Sequence, residues 1–127
     1  MSIAQKISEA ELEVLKVLWD KNTAISSTDI YNELRQSMGW EKTTVRTLVM
    51  RLTEKKALIQ EKRNVYYYTP AITEKAYIAE QTKDFLKKMY KGNAKGLIAS
   101  LFEQDYVNPD EIDELKKFWR EGTDSDK

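Results

Sequence analysis

Apolar residues recur at helical spacing through most of the chain, and the interruptions between these runs mark out its elements. Leu12, Leu15, Leu18 and Trp19 follow Ser8 and Glu11. A serine with a glutamate three residues on is a capping box, each side chain bonding the other's backbone N–H, which predicts a first helix to about Asp20. Asn22 breaks the period, and Ala24 and Ile25 fit a very short strand. Ser26 or Ser27 is placed to cap a second helix that turns Ile30, Tyr31 and Leu34 inward and ends near Gly39. After Trp40 a third helix is predicted to about Lys56. Leu58 and Ile59 then open one strand, Val65 to Thr69 form the next, and Pro70 closes it. Between the strands, Lys62-Arg63-Asn64 predicts a tight turn with a basic tip, with Asn64 supplying the left-handed conformation.

The third helix carries two stripes. Val45, Leu48, Val49 and Leu52 recur at i, i+3, i+4, i+7 and suit a core, while Thr43, Arg46, Thr47 and Met50 repeat the same spacing on another face. Lys42, Thr44 and Arg51 flank that second stripe. Hydroxyls, a guanidinium and a thioether on an exposed face match base edges and phosphates in a DNA major groove, and the alternative is a solvated helix face. Thr43, Arg46 and Thr47 are then placed to read base edges, with Lys42, Thr44 and Arg51 on phosphate. Lys62, Arg63 and Asn64 are either a DNA-touching wing or an ordinary hairpin tip. Tyr66, Tyr67 and Tyr68 suit the second strand and its packing better than base stacking, and Trp19 and Trp40 are assigned to packing.

Three helices and a hairpin, the third helix bearing a polar exposed stripe, make a mainly α winged helix-turn-helix domain over residues 1–70. From Thr73 the pattern is helical throughout. One helix runs to about Lys91 with Ile78, Phe85, Leu86 and Met89 on one side, and Gly92 ends it. Asn93 caps the next, with Leu97, Ile98, Leu101 and Phe102 in register. Asn108 followed by Pro109, Asp110 and Glu111 starts a third, whose apolar side is Ile112, Leu115, Phe118 and Trp119. Three such short helices bury too little apolar surface to stand alone. A two-fold dimer covering them makes residues 71–122 a three-helix dimerisation module, followed by a disordered tail at 123–127.

Composition narrows the chemistry. Among 127 residues there is no cysteine and no histidine. Disulfides, thiolate or imidazole metal sites and Cys or His catalysis are therefore excluded, so neither a cofactor nor an enzyme is expected. Residues 1–6 lack the apolar run of a signal peptide, and no stretch is long and apolar enough to span a bilayer, which places the protein in the cytoplasm. Net charge is zero but segregated. Seven basic residues between Lys42 and Arg63 face two acidic ones, and nine acidic residues from Leu101 onward face four basic ones. The acidic cluster at Asp110 to Glu114 sits at a helix start, where it stabilises the helix dipole. The remaining alternative to a DNA binder is a winged-helix scaffold for protein partners.

Together Ile7-Ser8-Glu9-Ala10-Glu11 with Val14 and Trp19, Thr44-Val45-Arg46-Thr47-Leu48 with Arg51-Leu52 and Lys55-Lys56, Tyr66-Tyr67-Tyr68, and Tyr90-Lys91-Gly92 resemble the penicillinase-repressor family of BlaI-, MecI- and CopY-like regulators. The resemblance covers nearly the whole chain. It implies a homodimeric repressor on a pseudo-palindromic operator, as of a β-lactam-resistance operon, released by an inducing signal and, in one branch, by a sensor-linked protease. Copper-responsive members carry a cysteine-rich metal site, which this chain cannot form. The family's cleavage precedes a phenylalanine in the middle dimerisation helix. The matching positions here are Ser100 and Leu101 with Phe102 one later, so Ser100 to Phe102 is the candidate cleavage region, the alternative being that Leu101 and Phe102 are dimer core.

Overall fold

The computed structural model describes residues 7–125. Residues 1–6, read above for a signal sequence, and 126–127 of the expected tail lie outside them. Three helices come first: α1 (Glu9–Lys21), α2 (Ser27–Met38) and α3 (Lys42–Glu54), with strand β1 (Ile25–Ser26) before α2. Strands β2 (Leu58–Lys62) and β3 (Tyr66–Pro70) follow, then helices α4 (Glu74–Tyr90), α5 (Ala94–Glu103) and α6 (Pro109–Ser125). No described helix is long and apolar enough to cross a membrane.

Local chemistry sets the helix ends. Ser8 Oγ accepts from the Glu11 N–H at 3.1 Å while Glu11 Oε1 accepts from the Ser8 N–H at 2.8 Å, so the capping box forms in full. Asn22 closes α1 in the left-handed region, at φ 55°, and Gly39 closes α2 in the same way at φ 69°. Ser26 rather than Ser27 caps α2. It also pairs with Tyr67, which places β1 one residue later than the apolar pattern indicates. Helix α3 stops at Glu54, short of Lys56, because Lys56 turns to φ 64° and the Ala57 N–H bonds back to the Leu52 carbonyl at 2.9 Å.

The sheet is antiparallel in the order β1-β3-β2. Lys62 pairs with Tyr66, so residues 63–65 connect the strands, and the Arg63 N–H donates to the Val65 carbonyl at 3.0 Å. Asn64 does not adopt the left-handed conformation expected of it. The connection falls at 63–65, one residue later than the 62–64 turn read from the sequence, so Asn64 sits in the middle of the loop and not at its end, where three-residue hairpin loops place the left-handed residue. Val65 consequently stays in the loop and β3 begins at Tyr66.

The core lies among α1, α2, α3 and the sheet. Leu15, Leu18, Ile30, Leu34 and Leu52 are fully enclosed, joined by Val45, Leu48, Val49, Leu58 and Tyr68. Trp19 and Trp40 pack against this cluster. The Trp19 indole also donates to the Ile72 carbonyl at 2.9 Å, and its ring lies 5.5 Å from that of Tyr77, so the first turns of α4 belong with the helices and sheet. Contacts divide the chain between Thr82 and Lys83, within α4.

The second unit is built from the same kind of local signals. Gly92 takes φ 82° and its N–H bonds to the Leu86 carbonyl at 3.1 Å, ending α4. Asn93 caps α5 through the Gly96 N–H, and Asn108 and Glu111 form a second reciprocal capping box at the start of α6. Helix α6 continues to Ser125, past Gly122 where the sequence reading starts a disordered tail. Beyond Tyr77 no side chain among those described is buried.

Glu11 is 1% exposed, although it is charged. Besides its cap bond to Ser8 it accepts from Lys55 Nζ at 2.5 and 2.8 Å, which fastens the start of α1 to the residue after α3. Burial pushes its carboxyl up, but Lys55 and Ser8 outweigh burial and hold it below the usual carboxylate range. Replacing one member of such a pair leaves the other charge uncompensated. Glu11→Ala is expected to cost about 3 kcal/mol of stability in urea unfolding at neutral pH. Because the folded-state pKa is lowered, the native contribution of Glu11 is complete above the unfolded pKa and fades as pH falls through the lower folded value. The gap between wild type and variant should therefore narrow on acidification over that window.

Candidate nucleic-acid interface

Helix α3 separates its two stripes cleanly. Val45, Leu48, Val49 and Leu52 are buried against α1 and α2, while Lys42, Thr43, Thr44, Arg46, Met50 and Arg51 are exposed. Met50 remains about half exposed, at 52%, so it belongs to the outer face. Thr47 lies between, half-buried, and its hydroxyl donates to the Thr43 carbonyl at 2.9 Å. That bond uses the proton of Thr47 and leaves its methyl group and oxygen lone pairs for an outside partner.

The electrostatics of this face are one-sided. Lys42, Arg46 and Arg51 have no ion-pair partner among the described residues. Glu41, at the N-cap, makes no side-chain bond to the helix start, and the first turn contains no acidic residue. The unsatisfied N–H groups and the positive end of the helix dipole are therefore presented beside Lys42, Thr43 and Thr44, an arrangement that attracts anions.

The hairpin brings Lys62, Arg63 and Asn64 together at its tip, all exposed. Arg63 is held in place: Nε and Nη2 lie 3.3 and 3.2 Å from the two carboxylate oxygens of Glu61, and the guanidinium sits 4.3 Å over the Tyr67 ring. Glu61 pushes the Arg63 pKa further up. The three tyrosines go separate ways, with Tyr66 exposed, Tyr67 half-buried beneath Arg63 and Tyr68 buried with its oxygen accepting from Gln60 at 2.8 Å.

Between the start of α2, the exposed side of α3 and the hairpin lies a cleft of about 640 Å³. Tyr31, Val45, Val49 and Tyr68 line it, as do Arg46, Met50 and Tyr66. Periodicity along one helix does not reveal it, because its walls come from three elements. The contribution of Tyr31 and Tyr66 to this surface has no local sequence signal.

Along α4, α5 and α6 most of the sequence-selected apolar residues are open to solvent. Ile78 (on the first turns of α4), Phe85, Met89, Ile98, Phe102, Leu115, Phe118 and Trp119 are exposed, the last two at 75% and 73%. Leu86, Leu97, Leu101 and Ile112 are half-buried. Ser100, Leu101 and Phe102 lie in α5, and their carbonyls accept from the N–H groups of Gln104, Tyr106 and Asp105 respectively.

Residues 7–121 match the family model described as penicillinase repressor. The chain is 36% identical over 117 residues to the penicillinase repressor of Bacillus licheniformis, covering 91% of each. It is 34% identical over 112 residues to the methicillin resistance regulatory protein MecI of Staphylococcus aureus strain N315, covering 87% of this chain and 90% of that protein. The solution structure of the DNA-binding domain of the repressor BlaI matches 60% of this chain and 92% of its own, at 42% identity and TM-score 0.54. The Bacillus licheniformis BlaI monomeric form in complex with the blaP half-operator matches 56% of this chain and 87% of its own, at 40% identity and TM-score 0.50. The first unit is thus a winged helix of the BlaI type. By a family match that spans almost its entire length, the chain belongs to the penicillinase repressor family.

Proposed function

We propose that this protein is a cytoplasmic homodimeric repressor that occupies a pseudo-palindromic operator, of the kind that precedes β-lactam-resistance genes. The observation that carries the DNA reading is the uncompensated cationic face of α3, which no residue of the protein satisfies among those described. A relative of the same fold has been solved on a half-operator. Arg46, central on that face, reads a guanine through its fork, and Thr43 and Thr47 contact base edges, Thr47 through its methyl group. Lys42, Thr44 and Arg51 lie on phosphates and fix the register. Met50 packs against sugar or a thymine methyl.

The exposed apolar residues of α4, α5 and α6 support the homodimer. Phe118 and Trp119 on one helix, with Phe102 and Ile98 on another, would be a liability in water, and a second copy covers them. Linking two recognition helices raises operator affinity without any new contact, so the dimer is where release acts. An inducing signal relayed by a sensor-linked protease would act at Ser100 to Phe102. The three bonded carbonyls there require α5 to open before a protease can seat the chain.

Arg46→Ala is expected to weaken operator binding by roughly 10- to 100-fold while changing random-duplex binding far less, whereas Lys42→Ala weakens both alike, as read in paired fluorescence-anisotropy titrations. Equal losses for Arg46→Ala on both duplexes would remove it from base reading. Leu101→Asp should sediment as a monomer with its N-terminal unit still folded. A variant that sediments as a dimer would refute the assigned interface. Wild-type duplex binding should weaken linearly in log K against log salt, and a chain that binds no duplex at any salt would instead be a protein-interaction scaffold.

A further inference from the structure

We propose that Glu61 competes with DNA phosphate for the Arg63 fork and in the wild type holds Arg63 out of DNA contact, so that a phosphate oxygen pair takes the fork only once the Glu61 carboxylate has given way. This rests on the DNA-binding reading above. Glu61 presents both of its oxygens to Nε and Nη2 of Arg63, at 3.3 and 3.2 Å, which is the paired geometry a phosphate offers to the same fork. Tyr67 stands directly across from Glu61 in the strand register, and its ring lies 4.3 Å beneath the guanidinium. Carboxylate and ring therefore fix the arginine from two sides. The tip that sequence alone credits with two cations presents one of them, Lys62, free of ion pairs among the described residues, and one already neutralised.

The same geometry makes the clamp easy to open. Both side chains are about half exposed, at 47% for Arg63 and 59% for Glu61, and ion pairs in such surroundings contribute little because water and salt screen them. The contrast with Glu11 and Lys55 is direct: there the carboxylate is sealed from water, and the pair is part of the fold. At the wing, an incoming phosphate brings its own charge and leaves the ring stack in place. Glu61 thus lowers the affinity of the wing for any duplex and keeps Arg63 in a docking-ready orientation.

The test is a double-mutant cycle on the full chain, with operator and random 30-mer duplexes titrated over a salt series. Glu61→Gln is expected to tighten both duplexes alike, by about 3- to 10-fold at low salt, and to steepen the log K against log salt slope by about 0.9, as for one more neutralised phosphate. Arg63→Ala in the wild-type background should change affinity less than 2-fold, and in the Glu61→Gln background should erase the gain. A gain that persists in the Glu61→Gln, Arg63→Ala chain would mean simple relief of charge repulsion and would overturn the clamp. So would a Glu61→Gln chain no tighter than a wild type that binds normally. A wild type that binds no duplex overturns the DNA reading and the clamp together.

Discussion

Glu11 performs three tasks with one carboxylate. It accepts the Ser8 N–H that starts α1, fills space in the core, and neutralises Lys55 at the point where the chain leaves α3. A carboxylate so enclosed survives ionised only because its oxygens are occupied on both sides. The orientation of α3 depends on this. Val45, Leu48, Val49 and Leu52 seat the helix by interdigitating with the core, and the ion pair adds a fixed point at its C-terminal end.

The first unit closes a core within the chain, and the second does not. In the first, the apolar stripes of α1, α2 and α3 pack on one another and on the sheet, and buried polar groups find bonds. In the second, the spacing is as regular and the capping as complete, but large apolar side chains remain in water. Good capping with incomplete burial separates the two requirements of a stable helix: its ends are satisfied locally, and its face requires another surface. The two units thus differ in what completes them, and that difference supports assigning recognition to one and association to the other.

How far the sequence could be read follows from the range of each interaction. Ser8 with Glu11, Asn93 with Gly96 and Asn108 with Glu111 are three residues apart, and all appear as short motifs that the structure reproduces. The two stripes of α3 are equally local. What escaped is what spans distance or breaks preference. Glu11 meets Lys55 across 44 positions and Trp19 meets Ile72 across 53, and neither pair leaves a mark on its neighbours. Lysine at φ 64° ends α3 where an asparagine or glycine would have signalled the stop. Asn64, which does carry the signal, lies in a loop of the expected length that falls one residue later, at 63–65. At the candidate interface the residue identities of α3 and the wing were legible, whereas the occupied state of Arg63, the internal bond of Thr47 and the cleft beside them depend on the geometry of neighbouring elements.

Because the residues of α3 that hold the fold and those left to solvent do not overlap, the two sets are free to change independently. Exposed helix positions tolerate exchange within about 0.5 kcal/mol, so replacing Arg46, Met50 or Thr43 alters what the helix offers a partner while leaving the core untouched. A duplicated gene could therefore drift to a new target by single substitutions, each intermediate still folded. Substitutions at Val45, Leu48 or Leu52 have no such latitude. The division of one helix into an inner and an outer ledger of positions is thus also a route by which copies of the protein can part company in function without parting in fold.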